Sequence, residues 1–134
     1  MTSRELRRVL VVEDDPDIQA VADVALSWIG KLEVEVCGSA MDALEKAPVF
    51  RPDLILLDVM MPGMDGPQAL AALREIPETR ATPVVFMTAR VQAHEVRRYK
   101  ELGSLDVIAK PFEPQELAAR LRQMWARFEA QAGR

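Results

Sequence analysis

The chain moves between two hydrophobic rhythms. Residues 9–12 (VLVV), 54–57 (LILL) and 84–87 (VVFM) are unbroken apolar runs of strand length, the pattern of strands covered on both faces. Residues 33–37 (EVEVC) alternate polar and apolar with a period of two, and 105–109 (LDVIA) make a fifth strand interrupted by Asp106. Between these runs the period lengthens to that of a helix. Asp15-Pro16 supplies an N-cap followed by proline at the first helical position, and Ile18, Val21, Ala22, Ala25 and Ile29 keep helical spacing down to Gly30. Further helices are predicted over 40–47, over 67–76 with Leu70 and Leu73, and over 92–102 up to Gly103. The last begins at Glu113 and is strongly amphipathic, with Leu117, Leu121, Met124, Trp125 and Phe128 on one face.

Strand–helix units repeated in this way predict an α/β fold with a mainly parallel sheet. Strands one, three and four are apolar throughout and belong in the centre. The second carries Glu33 and Glu35 and the fifth carries Asp106, as edge strands tolerate. That ranking selects the order 2-1-3-4-5, a doubly wound sheet whose ligand site lies between strands one and three. One domain over 1–134 is expected, with a core over 8–129, since 134 residues suffice for a core without disulfides or structural metal.

Composition removes several functions. With 17 basic and 21 acidic residues the net charge is −4, without the basic excess of a nucleic-acid-binding domain. The single cysteine, Cys37, excludes an intramolecular disulfide and fits a reducing compartment. The apolar run after Arg7-Arg8 is too short for a leader or a membrane span. A cytoplasmic protein with no direct nucleic-acid or membrane partner is the expectation.

Candidate chemistry collects where such sheets bind ligands, beyond the carboxyl ends of their strands. Glu13, Asp14 and Asp15 follow strand one, Asp58 strand three, Thr88 strand four and Lys110 strand five. No GxGxxG or P-loop pattern occurs, and the acidic pair would repel a phosphate. Two carboxylates about 5 Å apart repel by roughly 3 kcal/mol at an effective dielectric of about 20, so this cluster calls for a cation. Oxygen ligands without a neighbouring His or Cys suit Mg²⁺. With the metal present, Asp58 is a candidate nucleophile toward phosphorus. Lys110 would neutralise the transferring oxygens and the Thr88 hydroxyl would hydrogen-bond one of them.

These residues, in VLVVEDDP, LILLDVMMPGMDG, VVFMTA and IAKPF, carry a resemblance to the receiver domain of bacterial two-component response regulators. It covers nearly the whole chain, from Val9 to Phe128, and the four motifs together are far more specific than any one. The resemblance implies a flavodoxin-like (βα)5 fold and a phosphorylation-switched signalling module. It makes Asp58 the phosphoacceptor and Glu13 and Asp14 the acidic pair holding Mg²⁺, with the Met60 carbonyl completing the metal's protein ligands. Thr88 becomes the switch hydroxyl and Lys110 the phosphate-binding ammonium, with a cis bond to Pro111. The implied donor is a sensor histidine kinase or histidine phosphotransfer protein. The output would be a protein target bound through the fourth helix, fifth strand and fifth helix, by a monomer or a weak phosphorylation-dependent dimer. One position departs from the family pattern: the aromatic expected three residues before the lysine is Val107, which predicts a modified switch carried by the 92–102 helix.

Plainer roles are expected elsewhere. Asp15 reads as an N-cap, Asp65 as a turn residue before Gly66, His94 as solvated and Cys37 as part of the core; packing is expected to explain Trp28 and Trp125. Arg97, Arg98 and Lys100 read equally as partner contacts or as a solvated face. Nothing sizeable follows the last helix, so the expected form is a stand-alone receiver or a fragment of a longer regulator, not a conventional enzyme. A metal-dependent phosphohydrolase would need a substrate pocket and cap that these short loops do not supply. A constitutive binding module would be expected to lose some site residues, and this chain retains them all.

Overall fold

The computed structural model describes residues 4–132. Five strands, β1 (Arg8–Val12), β2 (Glu33–Cys37), β3 (Leu54–Asp58), β4 (Val84–Thr88) and β5 (Asp106–Ala109), alternate with α1 (Pro16–Asp23), α2 (Ala40–Phe50), α3 (Gly66–Arg74), α4 (Ala93–Glu101) and α5 (Pro114–Ala132). All strand pairs are parallel and the sheet order is β2-β1-β3-β4-β5. The order read from strand polarity is the one the chain adopts. Side chains alternate across the sheet. Val9, Val11, Leu54, Leu56, Val85, Met87 and Ile108 pack toward α1 and α5. Leu10, Val12, Ile55, Leu57, Val84, Phe86 and Val107 pack on the other side, toward α2, α3 and α4. Among the described residues, no helix is long and apolar enough to cross a membrane.

The helix starts follow local chemistry. The Asp15 side chain accepts from Asp17 N at 2.8 Å, the predicted cap of α1. Asp65, expected only as a turn residue, caps α3 in a reciprocal pair: its carboxylate accepts from Gln68 N at 2.9 Å while Gln68 Oε1 accepts from Asp65 N at 3.0 Å. The ends follow tertiary contacts instead. Helix α2 continues through Pro48 to Phe50, where the Arg8 guanidinium from β1 lies 4.2 Å from the Phe50 ring centroid and its Nε donates to the Phe50 carbonyl at 3.0 Å. A carbonyl at the helix terminus is thereby satisfied from another strand.

Helix α1 holds the main correction. After Asp23 it widens into a π-helical stretch, Val24–Ile29. The inward positions are the small residues Ala22 and Ala25 together with Leu26, while Val21, Val24, Ile29 and Trp28 are exposed, Trp28 by 72%. Packing therefore explains Trp125, which is 3% exposed and donates its ring N–H to the Arg4 carbonyl at 2.7 Å, but not Trp28. The reason is proximity to α5. A Cβ at Gly30 would come 2.5 Å from Ala118 Cβ, so this segment lies too close to α5 to turn an indole inward.

Candidate functional site

The apolar runs of β1 and β3 each continue into a carboxylate, Glu13 and Asp58, and both side chains are buried. By strand alternation Asp58 leaves the sheet on the same side as Leu54 and Leu56, the side to which Val11 and Ile108 also point. Glu13 and Lys110 lie two residues beyond Val11 and Ile108, and the three meet. Lys110 Nζ is 3.0 Å from Asp58 Oδ1 and 2.5 Å from Glu13 Oε1. Asp14 stands exposed at the rim, and one carboxylate oxygen each from Glu13, Asp14 and Asp58 lie within 4.8 Å of one another.

Backbone contacts fix this geometry. Glu13 N donates to the Cys37 carbonyl at 3.0 Å, and Glu13 Oε2 accepts from Asp15 N at 3.1 Å. Gln19, on α1, donates its side-chain amide to the Glu13 carbonyl at 2.5 Å. The sequence reading missed this residue; the available signal was a hydrogen-bonding side chain one turn into a helix that begins beside the acidic pair. Across the site, a Cβ at Gly66 would lie 2.6 Å from the Asp58 carbonyl, so only glycine lets α3 start this close to the end of β3. Met60 is exposed in the intervening loop, its amide 3.4 Å from Asp58 Oδ1.

Thr88 is buried but belongs to the opposite side of the sheet, in line with Val84 and Phe86. Among the described residues no hydrogen bond joins it to Asp58; its Oγ1 accepts from Arg90 N at 3.1 Å. The Lys110–Pro111 bond is cis, His94 is exposed and Cys37 is buried. Val107 is 7% exposed and faces the core beside Phe86, its cross-strand partner.

Three carboxylates thus face one ammonium. Burial, reinforced by the Asp58 charge, pushes the Glu13 carboxyl above its usual range, against the opposing pull of Lys110. Burial works against the Lys110 charge, but its contacts with Glu13 and Asp58 outweigh that and raise its pKa. Glu13 Oε1 is buried and touches Lys110, yet it accepts no aligned hydrogen bond. An oxygen-only donor set with an incompletely satisfied buried carboxylate fits a hard divalent cation. Both polar contacts of Asp58 fall on Oδ1, leaving Oδ2 unengaged by the described residues.

A family model described as the response regulator receiver domain matches residues 9–122. Among curated proteins, the chain is 37% identical over 123 residues to the DNA-binding response regulator MtrA of Mycolicibacterium smegmatis, covering 92% of this chain and 52% of that protein. It is 40% identical over 128 residues to the phosphate regulon transcriptional regulatory protein PhoB of Escherichia coli, covering 94% and 55%. The chain therefore spans about half the length of the curated relatives it matches. Among solved structures, the chemotaxis protein CheY4 of Vibrio cholerae superposes with a TM-score of 0.82 at 29% identity, covering 89% of this chain and 98% of that one. A receiver domain of a sensor histidine kinase from Pseudomonas aeruginosa, solved with a magnesium ion coordinated in its active site cleft, gives 0.78 at 29% identity, covering 90% and 98%.

Proposed function

The chain belongs to the response regulator receiver family of two-component signalling, and on that premise we propose that Asp58 accepts a phosphoryl group from a histidine kinase or histidine phosphotransfer protein. The observation that carries this reading is the convergence of Glu13, Asp14 and Asp58 within 4.8 Å, with Lys110 in contact with two of them. Glu13, Asp14, Asp58 and the Met60 carbonyl would hold Mg²⁺. Bound there, the ion would neutralise charge on the phosphoryl oxygens.

The chain's own residues account for the rest. Asp58 Oδ2 attacks phosphorus, and the P–N bond to the donor imidazole breaks with its electron pair returning to nitrogen. Lys110, held between Asp58 and Glu13, supplies fixed positive charge where the transferred oxygens gather. The Thr88 hydroxyl carries a proton that it can donate to a phosphoryl oxygen once it turns from Arg90 N toward the site. The product is an aspartyl phosphate and the output a protein interaction, so the chain acts as a signalling module in the cytoplasm and not as a conventional enzyme.

Incubation with acetyl phosphate, with and without Mg²⁺, followed by intact mass tests this. A Mg²⁺-dependent single phosphoryl adduct, absent from Asp58→Asn, is expected. No adduct under any condition sinks the reading, and rapid turnover of many phosphoesters would make the protein a phosphohydrolase.

A further inference from the structure

Helix α4 is fastened to the molecule by little. Tyr99 is its one buried residue, 8% exposed, and half-buried Val96 packs beside it against the same core. The Lys100–Asp106 ion pair is partly exposed at 3.6 Å, a geometry that contributes little. The N-cap residue Gln92 makes no side-chain capping bond, so the start of α4 is not locked by its own sequence.

Two further contacts of this helix and its leading loop end on one strand, β4. The Tyr99 ring meets Phe86 edge-on, with centroids 5.4 Å apart and planes at 78°. Two residues further along β4, and on the same side of the sheet, Thr88 Oγ1 accepts from Arg90 N in the loop before α4. Val107 lies beside Phe86 in the neighbouring strand. Val107 brings no ring to Phe86 from the neighbouring strand, and the ring that meets Phe86 comes from α4.

We propose that Tyr99 is the switch contact of this protein: the state of Asp58 is passed through Thr88 to the Tyr99–Phe86 ring pair, and through it to the outer face of α4. The inference rests on the phosphoacceptor reading above and assigns the path by which that site is read out. When the Thr88 hydroxyl turns toward a phosphoryl group on Asp58, the aligned bond from Arg90 N is lost and the loop over 89–92 is released. Helix α4 then pivots at its remaining anchor, and the tyrosine ring repacks on Phe86. The coupling is reciprocal, so loosening Tyr99 also changes how readily Asp58 is phosphorylated.

The chain contains one tyrosine, which makes the test direct. Protein labelled with 3-fluorotyrosine gives a single fluorine resonance, followed by NMR as acetyl phosphate and Mg²⁺ are added, with intact mass read in parallel. A second resonance growing in proportion to the adduct is expected. In Thr88→Val, read per mole of adduct at whatever extent of phosphorylation it reaches, the resonance stays at its starting position. Full adduct without a change at Tyr99 overturns the proposal and leaves the phosphoacceptor reading standing; so does a shift that survives intact in Thr88→Val. Absence of any adduct defeats both. Independently, hydrogen exchange over 93–101 is expected to differ between free and phosphorylated protein in the native chain and in Tyr99→Phe, but not in Tyr99→Leu. A difference that persists in Tyr99→Leu counts against the ring pair as the carrier.

Discussion

Cys37 closes β2 with its carbonyl accepting from Glu13 N, and its thiol lies in the core under α2. Burial, with the nearby Asp42 charge adding to it, pushes the thiol pKa up to about 12. In the unfolded chain the thiol ionises near its ordinary value of about 8.5. The neutral-thiol contribution is therefore fully present below that value and is lost as pH rises toward the folded one. Urea unfolding should show stability falling above about pH 8.5 by more in the native protein than in Cys37→Ala. Native Cys37 should also resist iodoacetamide until urea is added. Gln19 gives a second prediction at this scale. Its hydrogen bond to the Glu13 carbonyl positions the acidic loop, and a net contribution of about 1 kcal/mol corresponds to roughly a fivefold change in affinity. Titration calorimetry should find Mg²⁺ binding to Gln19→Ala weaker by about that factor, with thermal stability little changed. Unchanged affinity would remove Gln19 from the site.

At the scale of elements, strand polarity carried most of the information. A strand buried on both faces excludes charge, so β1, β3 and β4 identified themselves, and Glu33, Glu35 and Asp106 marked the edges. Asp15-Pro16 marked the start of α1 for an equally local reason. The phase of that helix was not legible, because no local feature of the sequence marks the π-helical turn at Val24–Ile29, a segment that ends in close contact with α5. Gly30 measures that approach. Gly30→Ala should lower stability by about 1–3 kcal/mol through overpacking against Ala118, read from the urea midpoint at constant slope. The opposite sign, expected where alanine only restricts the unfolded chain, would show that the two helices yield.

Across the whole molecule the two indoles report opposite environments. Trp28 is 72% exposed on the outer face of the α1 extension, while Trp125 is 3% exposed beneath the N-terminal segment. Iodide should quench one component of the fluorescence readily and leave another shielded, and Trp28→Phe should remove the accessible one. The same substitution should change stability by less than about 0.5 kcal/mol, as expected for a side chain outside the core. A shielded Trp28 would mean that this face is covered in solution.

The sequence by itself determined the class of fold, the strand order, the residues at the strand ends and the resemblance to a family. Each is a local property: a period, a cap, a run without charge, a motif at a fixed offset. Tertiary structure decided what depends on distance between elements. It brought Glu13, Asp14, Asp58 and Lys110 into one cluster, set Thr88 on the other side of the sheet with Arg90, and turned Trp28 outward. It also set the Tyr99 ring edge-on to Phe86 beside Val107, where a motif-based reading sees only a missing aromatic. A ring can reach the same spot from a strand or from the helix packed on it, and only the packing distinguishes the two.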